Sequence, residues 1–271
     1  MLTVLHGSDL HFGKPHRPSA AAGFLDMARR VAPDVIVLAG DFTQRAKVRE
    51  YEQVRTYLRQ LQDVPVVVTP GNHDVPLYRV HERLFAPFRN YRAFISDELD
   101  TVTRVSGAVL VALNSTDPHR GLVNGRIEDR QLRFLARIFQ EPSNTDVRIV
   151  VAHHALAPPP DGGSDATIPR NGPVLDRFRE LGVDLVLGGH LHRSFATGSS
   201  EVRPDHRNHG EIAIVHSGTA ASSRGRAAEK GENSVNVLKV GTQDIEVIPH
   251  WFEQDGAGFV AREPITLRRG E

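Results

Sequence analysis

Asp9-Leu10-His11, Gly40-Asp41, Gly71-Asn72-His73-Asp74, His153-His154 and Gly189-His190-Leu191-His192 are five short segments crowded with side chains that can hold a metal ion or move a proton. Carboxylate and amide oxygens plus imidazole nitrogens, with no sulfur, form a donor set for manganese, iron, zinc or cobalt. The chain has no cysteine, so thiolate-held zinc, thiol nucleophiles and disulfide scaffolds are excluded. Seven donors from these segments are too many for one tetrahedral ion, but they fit two ions that share a carboxylate. Asp9 and His11 are two positions apart, as are His190 and His192. In extended chain alternate side chains point the same way, so each pair is expected to face one ion or two neighbouring ions. The glycines before the donors are expected to relieve steric limits where the backbone turns sharply or approaches a bound group.

Something must bring these segments to one place. Short, nearly all-apolar runs at residues 2–5, 35–38, 64–68, 109–113, 147–152 and 183–187 read as strands covered on both faces. Every one of the five segments follows such a run. In α/β sheets ligands sit at the carboxyl ends of the strands, so the donors converge on one rim. Apolar positions at helical spacing over 50–61 and 127–139 predict helices between the strands, and the alternation predicts an α/β domain. Beyond about residue 194 the pattern shifts to strands at 209–215, 234–240 and 244–248, read as a second sheet that closes the domain. The aperiodic stretches 157–172 and 218–233 are too long for ordinary connections and read as functional or disordered. No repeat or linker interrupts the chain, so residues 1–271 are expected to form one domain.

Lysine plus arginine and aspartate plus glutamate each total 33, a net charge of zero. That balance argues against a protein that coats nucleic acid or an anionic membrane. No run reaches the roughly 18 apolar residues of a membrane span, and the first residues carry no basic leader. The expectation is a cytoplasmic protein.

The ordered set Asp9–His11, Gly40–Asp41, Gly71–Asp74, His153–His154 and Gly189–His192 resembles the calcineurin-like metallophosphoesterase superfamily. Within it, the GNHD and GHLH forms are most similar to bacterial class III cyclic-nucleotide phosphodiesterases. The motifs reach from residue 9 to 192. The resemblance implies an α/β four-layer sandwich, two mixed β-sheets flanked by helices. It also implies two divalent transition metals (Mn2+, Fe2+/Fe3+ or Zn2+), one held by Asp9, His11 and His192 and the other by Asn72, His153 and His190. Asp41 would bridge them, and His154 is left as a neighbour of the second set. Two departures stand out. The prolines that often follow the paired histidines are displaced to 158–160, and Thr43 and Gln44 follow Gly40-Asp41 where some members carry an acid or amide.

Two such ions can hold a bridging hydroxide that attacks phosphorus while they clamp the phosphoryl oxygens. His73, next to Asn72, is the expected acid at the leaving oxygen. Asp74 either orients His73 or caps the loop. Substrate contacts are expected from Asn114, Arg224 and Arg226, although Asn114 also reads as a turn residue and loop arginines are often solvated. His6, His81, His119, His206, His209, His216 and His250 lie outside any motif and read as core or surface. The expected function is hydrolysis of small phosphodiesters such as cyclic nucleotides or glycerophosphodiesters. A nuclease and a phosphomonoesterase are alternatives on the same core, and a metal-free binding scaffold is a rival of another class. The expected partner is a small phosphodiester ahead of nucleic acid, with no membrane and with a homodimer as an option.

Overall fold

The computed structural model describes residues 1–120, 123–140, 147–161, 167–208, 210–254, 256 and 258–269. Its first three strands, β1 (Leu2–Gly7), β2 (Val35–Leu38) and β3 (Val66–Val68), lie parallel, joined by helices α1 (Pro18–Val31) and α2 (Val48–Leu58). Two short helices, α3 (Val80–Phe85) and α4 (Arg89–Phe94), lead to the hairpin of β4 (Thr101–Val105) and β5 (Ala108–Ala112). Then α5 (Asp129–Phe139), β6 (Val147–Val151), α6 (Asn171–Glu180) and β7 (Leu185–Gly188) continue the alternation. The chain closes through β8 (Phe195–Gly198), β9 (Ala213–His216), β10 (Ser234–Val240), β11 (Asp244–Glu253), β12 (Gly258–Ala261) and β13 (Ile265–Arg268).

These strands form two mixed sheets. One runs β12-β11-β10-β1-β2-β3 with β13 against β11, and the other runs β4-β5-β6-β7-β9-β8. Period-two alternation explains how continuous apolar runs serve both faces. On β1, Val4 points between the sheets, into one buried cluster that also holds Leu110, Ile149 and Leu187. Its neighbour Leu5 points outward, into the cluster that holds Phe24 and Met27 of α1 and Tyr51 of α2. On β6, Ile149 and Val151 face inward while Val150 belongs to the outer cluster with Leu135 of α5 and Phe178 of α6. Helices, sheet, sheet and helices are therefore four layers, as expected.

The assignment of strands to sheets differs from the sequence reading. The second sheet begins at β4, and β10 to β13 return to the first one, where β10 pairs antiparallel with β1 from Leu2↔Val240 to His6↔Asn236. The strand β1 has two edges and β2 covers only one of them, so a late strand is needed on the other. Apolar pattern alone does not say which edge a strand will cover. The structure also adds elements the sequence reading does not name, helices α1, α3, α4 and α6 and strands β4, β8, β12 and β13. Strand β9 occupies Ala213–His216 rather than 209–215, and α2 ends in a tighter turn at Arg59–Leu61. Helix α6 starts inside the aperiodic stretch 157–172, of which 162–166 lie outside the described residues.

The other aperiodic stretch, 218–233, is tied to the rim. Ala220 N–H donates to the Ser8 carbonyl at 2.8 Å, and Arg226 N–H donates to that of His192 at 3.1 Å. Asn233 Nδ2 donates to the Thr219 and Ser222 carbonyls at 3.0 and 2.7 Å.

Candidate metal centre

The donors sit on the first turns after β1, β2, β3, β6 and β7. Five of them, Asp9, His11, Asp41, His190 and His192, have φ between +45° and +69°. The expectation of extended D-x-H and H-x-H segments is thus corrected: each pair wraps a left-handed turn. Such conformations cost a residue with a Cβ on the order of 1–3 kcal/mol each and persist where surrounding bonds over-determine them. Here Asp9 N–H donates to the Gly40 carbonyl at 3.0 Å, His11 N–H to that of Asp41 at 2.9 Å, and Gly189 N–H to that of His153 at 3.0 Å. The His190 N–H donates to Asp9 Oδ2 at 3.0 Å. Strand-end loops from both sheets are laced directly to one another.

The side chains form two groups around Asp41. In the first, Asp9 Oδ1 lies 3.1 Å from His192 Nε2 and 3.3 Å from His11 Nε2, and the two imidazole nitrogens are 3.3 Å apart. In the second, Asn72 Oδ1 lies 3.0 Å from His190 Nδ1 and 3.3 Å from His153 Nε2. Asp41 reaches both: Oδ2 is 3.6 Å from His11 Nε2, and Oδ1 is 3.5 Å from His153 Nε2. Glycine makes this closeness possible. A Cβ on Gly40, at φ +89°, would sit 2.7 Å from His153 Nδ1, and one on Gly71 would collide with the Asp41 carboxylate.

The donor set fits cations. Asp9 Oδ1 and Asp41 Oδ2 are buried and accept no hydrogen bond from any described residue, yet both face imidazole nitrogens. Burial opposes charge on Asp9 and Asp41, but His192 and His11 around the one, and His153, His73 and His11 around the other, hold both carboxyls well below the usual range. Burial also pushes His11 down to about 4 and His190 to about 3, which leaves neutral rings with lone pairs to give. His153 moves the other way, to about 9, because the Asp41 carboxylate outweighs its burial. A cation that takes Asp41 would remove that cause. Backbone carbonyls fix the ring orientations: His153 Nδ1–H donates to Ala39 at 2.6 Å and His192 Nδ1–H to Arg224 at 2.8 Å, so both present Nε2 inward. His154 sits beside the second group, with Nδ1 2.8 Å from Ser115 Oγ and its ring 4.6 Å from that of His190. Its nitrogens, with those of His153 and His190, also lie close enough together to hold a cation.

His73 is half-buried at the edge of this centre. Its N–H donates to Asp41 Oδ1 at 2.8 Å, and its ring meets that of His11 edge-on, with centroids 4.9 Å apart. The partner of its ring is Gln44, whose backbone carbonyl accepts from Nδ1–H at 3.0 Å. Asp74 does not orient His73. Its carboxylate accepts from the N–H groups of Gly71, Thr43 and Phe42 at 2.9, 2.9 and 3.2 Å and from Thr43 Oγ1 at 3.1 Å. Asp74 thus clamps the Gly40-Asp41 loop to the Gly71-Asn72 loop, and burial together with Asp41 raises its carboxyl pKa.

The expected substrate residues divide. Arg224 is half-buried, donates from Nη1 to Gln44 Oε1 at 3.2 Å and feels the charges of Asp41 and Asp9. Arg226 is exposed beside it. Asn114 is a turn residue: its Oδ1 accepts from Thr116 N–H at 3.0 Å, and its own N–H donates to Asp100. Gln44 was legible only as a departure from a pattern, yet it joins His73 to Arg224.

Residues 2–194 match the sequence profile of the calcineurin-like phosphoesterases. The chain belongs to that family. A probable cyclic nucleotide phosphodiesterase from Synechococcus is 31% identical over 218 residues, covering 73% of this chain and 76% of the relative. Among solved structures, a dimetal phosphatase from Danio rerio superposes with a TM-score of 0.65 at 12% identity, covering 99% of each chain. A purple acid phosphatase from yellow lupin (Lupinus luteus) seeds superposes with a TM-score of 0.70 at 12% identity, covering 99% of this chain and 54% of its own. At those identities the structures support the fold. As a calcineurin-like phosphoesterase, the chain is a metal-dependent phosphoric ester hydrolase. Among the described residues, no helix is long and apolar enough to cross a membrane.

Proposed function

We propose that this phosphoesterase is a two-metal phosphodiesterase acting on small diesters such as cyclic nucleotides or glycerophosphodiesters. The observation that carries the reading is the placement of Asp41, whose two carboxylate oxygens each face a separate group of donors. Asp9, His11 and His192 would hold one ion and Asn72, His153 and His190 the other, with Asp41 shared. Manganese, iron and zinc all suit these donors. When bound, two such ions supply a nucleophile at neutral pH and charge compensation for the phosphoryl oxygens.

The protein's own residues handle the leaving group and the substrate. Because the Gln44 carbonyl accepts from Nδ1–H, His73 keeps Nε2 for the substrate and, once protonated, donates there to the departing oxygen. Arg224 has Nη1 anchored on Gln44 and its remaining N–H groups available for a phosphoryl oxygen. Arg226 supplies long-range attraction from the same loop. Asp74 keeps the two central loops in register rather than touching substrate.

The diester preference draws support from the Synechococcus relative, described as a probable cyclic nucleotide phosphodiesterase. A phosphomonoesterase is the second reading, favoured by Arg224, a cation suited to a dianionic ester. The direct pairing of β10 with β1 supports one domain across 1–271, and the proposed working compartment is the cytoplasm. The test combines metal analysis with a manganese-supplemented substrate panel of cyclic nucleotides, glycerophosphodiesters, single-stranded DNA and a simple monoester. Two ions per chain, turnover of the small diesters and loss of both in Asp41→Asn are expected. Metal-free protein with no diester turnover would overturn the reading.

A further inference from the structure

Between the first turns of α5 and α6 lies a cavity of about 630 Å3 whose walls carry Arg120, Arg126, Arg133, Arg170 and Arg177. None of the candidate metal donors lines it. Arg177 is paired with Glu180 at 2.7 Å. The other four guanidinium groups have no carboxylate partner among the described residues. Two acids share the walls, but Asp117 is occupied in its own turn, accepting from the N–H groups of His119 and Arg120 at 3.0 and 3.1 Å. Asp129 opens α5 and makes no ion pair with these arginines.

Four guanidinium groups around one concavity, with no carboxylate partner among the described residues, repel each other. The arrangement makes sense when an anion joins them, since each guanidinium offers a fork of donors matched to phosphate or carboxylate oxygens. The volume falls within the roughly 300–1,000 Å3 of small-molecule sites. A nucleic acid would need a longer track of cations to neutralise successive phosphates, whereas these arginines gather about a single hollow.

We propose that this cavity is a second binding site, separate from the metal centre, for a compact polyanion bearing two or more phosphate-type groups. The site and the centre share a wall. Gly125, at φ +64°, lies so close to His154 that a Cβ there would enter the imidazole, and the His154 ring lies 4.6 Å from that of His190. Arg126 N–H donates to the Ser115 carbonyl at 2.7 Å, and Ser115 Oγ meets His154 Nδ1 at 2.8 Å.

Calorimetric titration with inorganic pyrophosphate tests this on the protein as purified and on Asp41→Asn. The site is expected to persist in Asp41→Asn, which separates it from any binding at the metals. In Arg126→Ala/Arg170→Ala the affinity should fall roughly tenfold or more per arginine removed, with hydrolysis of bis(p-nitrophenyl) phosphate unchanged. The exposed Arg133→Glu gives the same answer if the double variant folds poorly. Loss of pyrophosphate binding in Asp41→Asn, or undiminished affinity in both arginine variants, would overturn the proposal. So would displacement by single-stranded oligonucleotides whose affinity grows with length, the mark of an extended nucleic-acid track.

Discussion

The backbone carbonyl of Gln44 accepts the Nδ1–H of His73 at 3.0 Å, so the tautomer of the proposed acid is set by main chain rather than by a carboxylate. A carbonyl cannot take up the proton, and the bond survives whichever side chain occupies position 44. His73→Ala should therefore lower kcat for a diester by about 10^2 to 10^4-fold. Metal content should be unchanged, because the loop bond to Asp41 is made by the His73 N–H. A substrate with a good leaving group, which needs little protonation, should lose much less. Equal losses for good and poor leaving groups would remove His73 from the role of acid.

Gly71 has no room for a side chain. A Cβ there would enter the Asp41 carboxylate, the residue shared by both donor groups. Gly71→Ala should displace that carboxylate, costing about 1–3 kcal/mol of stability by overpacking and emptying at least one metal position. Metal analysis and a thermal melt on the same sample check this. A variant with full metal content would show that the loop yields more easily than its contacts indicate.

The reach of the sequence can be seen in particular residues. Strands at 35–38 and 234–240 match their observed bounds, since a short β-branched run has few alternatives. The donors fall at the strand ends because the chain must turn there. What periodicity does not carry is which edge of β1 a late strand covers, and so the sheet division was misplaced. The left-handed φ angles at Asp9 and His190 were invisible because spacing along the chain does not report backbone angles, which are set here by bonds between separate loops. Gln44 and Asp74 act through bonds to neighbouring loops, which spacing along the chain does not reveal. The arginines around the second cavity are scattered from 120 to 177 and line one hollow only in the folded chain.

Arg224 offers the clearest probe of substrate binding. Its side chain leans on Gln44 Oε1, while its carbonyl holds the His192 ring. Arg224→Ala removes the first function and keeps the second, so metal content should stay constant. A lost charged hydrogen bond to a phosphoryl oxygen corresponds to roughly a ten- to hundredfold rise in KM. Lysine lacks the planar fork and should restore little of it. Gln44→Ala should show a smaller rise, since it loosens Arg224 without deleting it. An unchanged KM in Arg224→Ala would place the phosphate elsewhere.

His6 and His216 give the fold a pH limit of its own. His6 is fully buried, and neither ring nitrogen has a hydrogen-bond partner among the described residues. His216 donates from Nδ1 to the Gly189 carbonyl at 2.9 Å and stacks on Phe195. Burial is the main cause that pushes His6 down to about 3 and His216 to about 4. An unfolded chain takes up these protons near pH 6.5, whereas the folded chain refuses them until far lower. Between those values the unfolded state binds more protons. The stability contributed by the two rings is therefore fully present above about pH 6.5 and is lost as pH falls to about 4 for His216 and about 3 for His6. The slope is about 1.4 kcal/mol per pH unit for each histidine. Urea unfolding at pH 7, 6 and 5 should show a shallower pH dependence in His6→Leu and His216→Phe than in the parent chain. The ligand histidines are common to all three proteins, so their titration cancels in the comparison. Identical slopes would mean that both rings are protonated inside the fold, and that buried groups near them take up the charge.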